Sequence, residues 1–456
     1  VSVIDRNPTL NVADPSAEPV DTFFRADYII ARFTLSGLLR QEGLHLDRAY
    51  INGAQMNLVL EDNPDESAAE KSTDNLSRIF RLKKPEEKKP VNNKEIFHIK
   101  DVKILDMGFA MKNHGSQQTP YYGGINWNDL DIKDIDLSAE ELQFKGGVMS
   151  GTLNSLSFEE KSGFKAKSIT GKARVGNGRT LVEDLHIVDQ WSDIRLPVFM
   201  MLYENVKAFK NFISEVKLDG DLENTILDFK TLKYFAPQLE GNTIKASISG
   251  NVYGYVDNFK INNIRIATDD GGFSTTVNGR MAGIPDIENT MLDATISKSL
   301  FTLDGMGKFL SAWIKDGELD LSRYGKGLLF TLDGTAKGLL NDFDASISAG
   351  SLAGSIDADM KVSNVIDVET PISISGNIST DDLDIGRITG MELIRQITLD
   401  TKLDVKLTEV PELNIRNLSV DRMHINGYDY QGISATGILA DNLFNGWITC
   451  HDPNLF

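Results

Sequence analysis

"FKINNIRI", residues 259–266, places apolar side chains at Phe259, Ile261, Ile264 and Ile266, a hydrophobic spacing of two, three and two. On a helix Phe259 and Ile261 would stand about 200° apart at roughly 3.6 residues per turn. On a flat strand the step of three would throw the second pair onto the opposite face. Keeping all four on one side requires a local irregularity between them. The central pair Asn262-Asn263 suits one, because Asn tolerates left-handed or bulged backbone better than most side chains.

The pattern recurs as "LHLDRAYI" (44–51), "FHIKDVKI" (97–104), "LDIKDIDL" (130–137) and "LNIRNLSV" (413–420), with a weaker copy, "TLVEDLHI", at 180–187. Each octet is expected to be strand, corner, strand. A bulge at the corner resets the side-chain phase. Four groups would then line one apolar wall: Phe97, Ile99, Val102 and Ile104; Leu130, Ile132, Ile135 and Leu137; Phe259, Ile261, Ile264 and Ile266; and Leu413, Ile415, Leu418 and Val420. The competing reading is a straight strand in a two-sheet sandwich, buried first on one face and then on the other.

Extended segments dominate the rest. "NTIKASISGNV" (242–252) and "TKLDVKLTEV" (401–410) alternate apolar and polar residues, as half-buried strands do. "GNVYGYVDNF", "GRMAGIPDIEN" and "GTAKGLLNDFD", beginning at Gly250, Gly279 and Gly334, share Gly, three residues, Gly, then an Asx-containing turn. Their spacing indicates stacked units of about 28 residues, and the glycines are expected in turns. A β-rich start (1–60) precedes a charged insertion (61–94) around a short helix, which is expected to be mobile. A second β-rich segment (95–195) leads to an amphipathic helix over 196–215, where Phe199, Leu202, Val206, Phe209 and Ile213 recur at three and four. Residues 216–456 are expected to be a repeat-like β groove with short helices near 305–315 and 382–397.

The chain has 456 residues and a formal charge of −19. That charge argues against a nucleic-acid partner, which needs clustered Lys and Arg, and against adhesion to an anionic membrane surface. The densest apolar run, "LPVFMMLY" (196–203), is too short to span a bilayer. Cys450 is the single cysteine, so no intrachain disulfide or cysteine-based zinc site is possible. The six histidines, at 45, 98, 114, 186, 424 and 451, have no metal-ligand spacing. His45, His98 and His186 occupy polar slots between apolar octet positions and are expected to face solvent. "GMGKF" (305–309) lacks the full phosphate-loop motif. No nucleophile elbow or paired carboxylates stand out, and Asp269-Asp270 before Gly271-Gly272 fits a hairpin turn better than a calcium loop. Trp127, Trp191, Trp313 and Trp447 are scattered as core or interface anchors rather than as a sugar platform. No catalytic residue, metal or cofactor is expected.

The octets, together with "RADYIIARFTLSGLLRQEGLHLDRAYINGAQMNLVL" (25–60), "NLSRIF" and "FHIKDVKILDMGFAM" (75–111), and the array from Leu239 to Asn289, resemble the TamB family of the AsmA-like proteins, in its Bacteroidota-type form. The resemblance implies a mostly β protein: a long curved or twisted sheet, open like a gutter or β-taco, with an apolar concave face. It implies a periplasmic bridge, anchored in the inner membrane through an N-terminal segment and meeting a BamA- or TamA-like barrel at the outer membrane. Such proteins are implicated in moving phospholipid between membranes and in outer-membrane protein assembly. The segments for the anchor and the barrel lie outside this sequence. The octet residues are then the expected lipid-binding wall, and phospholipid or another apolar cargo the expected partner. Two other classes fit the pattern: a closed-core β-solenoid adhesin or structural protein, and a polysaccharide-degrading β-helix enzyme, which the missing acid cluster disfavours.

Overall fold

The computed structural model describes residues 1–4, 22–33, 43–60, 75, 94–113, 124–235, 237, 240–284, 286, 289–312, 319–366, 370–391, 393–408, 411–441 and 443–455. The chain is mostly β, its strands belong to one open sheet, and the helices are few and short. It divides into two compact units, Val1–Lys207 with Leu222–Thr243, and Ala208–Asp221 with Ile244–Phe456.

The first unit contains β1 (Ser2–Ile4), β2 (Thr22–Arg32), β3 (Leu44–Leu46), β4 (Arg48–Leu60), β5 (Glu95–Asn113), β6 (Asp129–Lys145), β7 (Val148–Glu160), β8 (Lys165–Ala166), β9 (Ser168–Gly176), β10 (Arg179–Val188) and β11 (Asp193–Leu202). Most neighbours are antiparallel, but β3 and β4 both run parallel to β5. Nearly the whole insertion lies outside the described residues, as do most of the helix expected within it, most of the "SGLLRQEG" turn, His114 and Trp313. Asn75 is described. Its side-chain amide donates to the Asn57 carbonyl at 2.9 Å and its Oδ1 accepts from the Val59 amide at 3.1 Å, satisfying backbone groups of β4.

Residues 196–215 are not one amphipathic helix. Leu196–Leu202 belongs to β11, in register with Arg179–Leu185 of β10, and only a 3₁₀ turn (Val206–Asn211) and α1 (Phe212–Glu215) are helical. The run of Val198, Phe199 and neighbouring apolar residues has strand propensity, and pairing with β10 overrides its helical spacing. Pro197, which has no amide to donate, falls in the register gap opposite the bulged Asp184. β12 (Lys217–Asp228) and α2 (Phe229–Leu232) follow.

The second unit is an antiparallel meander: β13 (Lys245–Tyr255), β14 (Asn258–Thr268), β15 (Phe273–Ala282), β16 (Met291–Phe301), α3 (Leu303–Ser311), β17 (Phe330–Leu339), β18 (Asp342–Ser351), β19 (Gly354–Ser363), β20 (Ile372–Asp384), α4 (Ile385–Thr389), β21 (Ile394–Leu407), β22 (Glu412–Ile425), β23 (Tyr428–Ala440) and β24 (Leu443–Cys450). The helix expected over 382–397 shrinks to α4. Asp384 caps it by accepting from the Arg387 amide, Gly390 ends it in the left-handed conformation, and the flanking residues pair as β20 and β21. The expected helix at 305–315 appears as α3, starting from the Thr302 cap.

The repeated glycines are not turn glycines. Gly250, Gly279 and Gly334 lie inside strands, and a Cβ on Gly279 would meet the Asp293 carbonyl at 2.4 Å. They permit close approach of neighbouring backbones. The turns come after the second glycine of each pair.

Candidate functional site

The corner in "FKINNIRI" is a β-bulge. Asn263 has φ of 49°, and the register with β15 shifts between Ile261 and Ile264. Its amide, turned out of the ladder, donates to Asn278 Oδ1 on β15 at 2.7 Å. The same device recurs at Lys298 on β16, whose amide donates to Asp333 Oδ1 at 2.9 Å, and at Asp382 on β20, which donates to Thr398 Oγ1 at 3.1 Å. A side chain from the next strand thus satisfies each freed donor, as a backbone amide outside the ladder requires.

The other octets vary the device. Asp134 on β6 and Asp184 on β10 are left-handed at the expected second polar position. On β22 the register shifts between Ile415 and Leu418 on both sides, though Asn417 is not left-handed. In "FHIKDVKI" the left-handed residue of β5 is Asp106, beyond the octet, with its amide donating to Asp136 Oδ1 at 2.9 Å. Around Asp101 the phase change is shared. β3 and β4 break at Asp47 alongside, and Glu141 on β6 is left-handed opposite Lys100, so no register shift is needed.

In the first unit eight predicted residues sit on adjacent strands and meet apolar partners. Phe97, Ile99, Val102 and Ile104 oppose Phe144, Leu142, Ala139 and Leu137, while Ile135, Ile132 and Leu130 oppose Met107, Phe109 and Met111. The Phe97 and Phe144 rings stack at 6.1 Å. On the parallel side, Leu44, Leu46, Ala49 and Ile51 continue the same rows.

In the second unit β14 and β22 do not touch, yet their octets align position by position. Phe259 leads through Met281, Leu292, Gly338, Phe343, Val362, Ile374 and Val405 to Leu413, each registered on the next. Ile261 leads through Gly279, Ala294, Ala336, Ala345, Met360, Gly376 and Leu403 to Ile415. Ile264 reaches Leu418 by way of Val277, Ile296, Gly334, Ile347, Ala358, Ile378 and Thr401. Ile266 reaches Val420 through a rung holding Thr275, Ser299 and Thr380, hydroxyls that are buried and hydrogen-bonded. Bulges between the second and third rungs on β14 and β22, and between the third and fourth on β16, keep the apolar set on one face, because an uncorrected shift would send it to the other.

Of the sixteen predicted residues, only Val102 (8% exposed), Ile264 (7%) and Val420 (2%) are buried, and the rest are half-buried. The opposite face is polar. On β17 and β18, Thr331, Asp333, Thr335 and Lys337 and then Asp342, Asp344, Ser346 and Ser348 are all exposed, alternating with inward residues. A hollow of about 530 Å³ is lined by Ser297, Asp333, Ser346, Ser348, Asp357 and Asp359 together with Ile296, Gly334, Ile347 and Ala358 of the third rung.

One margin of the apolar face is closed by α3. Phe273, Phe301, Leu328, Phe330 and Ala353 form a core with Met306 and Phe309, and Phe309 stacks on Phe273 at 4.2 Å. The glycines of "GMGKF" serve this packing. A Cβ on Gly305 would meet the Gly272 carbonyl at 2.1 Å, and one on Gly307 would meet the Leu319 carbonyl at 2.5 Å. Asp270 belongs to the β14–β15 turn: its Oδ1 accepts from Thr268 Oγ1 at 2.7 Å and from the Gly272 amide at 2.9 Å. Thr268, the Gly272 amide and Lys308 together hold its carboxyl below the usual range.

His45 does not face solvent. Its side chain is 12% exposed and pairs with Glu95 at 3.0 Å, because β3 packs beside β5 there. His98 pairs with Glu141 at 2.7 Å and His186 with Asp193 at 2.9 Å. Trp191 stacks on Tyr234 at 5.9 Å, whereas Trp127 and Trp447 are exposed. Among the described residues no group of three or more His, Cys, Asp or Glu is placed to hold a metal, and no helix is long and apolar enough to cross a membrane. No family model, curated protein or solved structure matches the chain.

Proposed function

We propose that this chain is a non-enzymatic cell-envelope protein of TamB type, working in the periplasm, whose apolar sheet face carries phospholipid between the inner and outer membranes or assists outer-membrane protein assembly. The observation that supports this reading is the set of four rungs from β14 to β22, most of whose apolar side chains stay half-buried on a sheet with a polar opposite face. Acyl chains on such a face gain about 0.8 kcal/mol per buried CH₂. A repeated surface offers many similar sites and no single deep trap. The rung from Ile261 to Ile415 is built largely of Gly and Ala between bulkier rows.

The test is native mass spectrometry with lipid extraction on the purified full chain. Wild-type protein is expected to carry phospholipid. Ile261→Asp with Ile415→Asp, on one half-buried rung, lowers the load, while Lys260→Asp on the polar face leaves it unchanged. Absence of lipid from the wild type, or equal loads in all three proteins, refutes the transport reading.

A further inference from the structure

Glu160 ends β7 on the apolar side of the sheet. It registers with Ile132, whereas its neighbour Glu159 pairs with Lys133 and Lys165. The residue is 2% exposed. Its Oε2 accepts from the Ser162 amide at 2.8 Å, but Oε1 has no hydrogen-bond partner, and no Lys, Arg or His forms an ion pair with it among the described residues.

Two more buried oxygens around the same turn are also unpartnered: Ser162 Oγ and Gln190 Oε1. Gln190 is tied to the turn, since its Nε2 donates to the Gly163 carbonyl at 3.1 Å. That bond fixes the orientation of the amide and leaves the oxygen as its free end. The Tyr234 hydroxyl donates to the same carbonyl at 3.3 Å, and Phe164, Ala166, Tyr234 and Trp191 pack around the turn. A buried polar oxygen left without a partner costs free energy that a ligand filling its free valence would recover.

The free donor set is a carboxylate, an amide carbonyl and a hydroxyl. These are hard oxygen ligands, suited to calcium or an alkali cation and not to a thiolate- or imidazole-seeking metal. We propose that the Glu160–Gly163 turn and Gln190 bind a hard cation, with calcium the best match. Glu160 Oε1 is the anionic ligand, Ser162 Oγ and Gln190 Oε1 are neutral ones, and water completes the shell. The cation offsets the buried charge and pins the turn after β7 to the segment after β10.

Terbium is the probe, because it takes calcium's oxygen ligands and its emission is sensitised by nearby aromatic rings, here Trp191 and Tyr234. Full-length protein stripped with chelator is expected to give saturable sensitised emission that excess calcium displaces. Calcium should also raise the unfolding midpoint above that of the chelated protein. A rise with sodium or potassium alone, with displacement of terbium by the same ion, supports an alkali cation in the same ligands. Glu160→Gln abolishes emission and the cation-dependent rise. Ser162→Ala, which keeps the carboxylate, weakens terbium binding, and Trp191→Phe dims emission while the calcium-dependent rise persists. Wild-type protein without emission or cation response overturns the proposal. So does emission that survives Glu160→Gln, or a Glu160→Gln variant that is more stable while the wild type ignores every cation.

Discussion

Ile264 and Leu418 occupy the same rung although they lie on β14 and β22, and a continuous series of registered neighbours joins them. Each directly follows the polar pair of its octet, Asn262-Asn263 or Arg416-Asn417. The repeat in sequence is therefore a repeat in space, and the bulge keeps it in phase.

Asn263 has φ of 49°, a conformation that Gly adopts freely and a β-branched residue resists. Asn263→Gly is expected to stay within a few tenths of a kcal/mol of wild type, and Asn263→Val to cost about 1–2 kcal/mol. Urea unfolding of both variants checks this, and equal midpoints would remove the conformational argument.

Lys298 takes the same conformation with a side chain poorly suited to it. Lys298→Asn should stabilise the chain by up to about 1 kcal/mol, since Asn tolerates the left-handed region better. Asp333→Ala should lose about 0.5–1.5 kcal/mol, because the Lys298 amide loses its acceptor, whereas Asp333→Asn keeps an acceptor oxygen and most of that stability. The order of the three midpoints decides the matter.

Gly279 and Gly350 make a contrast within one sheet. A Cβ at Gly279 would lie 2.4 Å from a backbone oxygen of β16, but at Gly350 the nearest atom is Thr331 Oγ1 at 3.4 Å. Gly279→Ala should cost about 1–3 kcal/mol through overpacking, and Gly350→Ala should be neutral or stabilising by about 0.4–1 kcal/mol. Thermal melts that rank them the other way would contradict the close-approach account.

The Gln143 side chain donates to Glu95, and His45 bonds its other oxygen, holding the Glu95 carboxyl below its ordinary value of 4.5. A lowered folded value means that Glu95 contributes stability above its unfolded value and loses it as pH falls through the folded one. Gln143→Leu should therefore lower the midpoint at neutral pH, with the gap to wild type narrowing below pH 4.5. A gap that stays constant from neutral pH into that acid range would show that Glu95 ionisation is not involved.

The sequence by itself determined that the chain is β-rich and, at Asn263, Asp134 and Asp184, where a strand turns left-handed, but not the left-handed positions at Asp106, Lys298 and Asp382. Those features rest on alternation and on the local tolerance of Asn and Asp for left-handed backbone, both readable within eight residues. It misjudged Leu196–Leu202, where a helical spacing yielded to pairing with β10, and it put the glycines of the 28-residue unit in turns. It also left His45 in solvent and gave no sign of Glu160. Those outcomes depend on which strand lies alongside: β10 against β11, β16 against Gly279, β5 against β3, and Gln190 against the Glu160 turn. Only the tertiary structure decided them, because registry and close approach are set by neighbours distant in the chain.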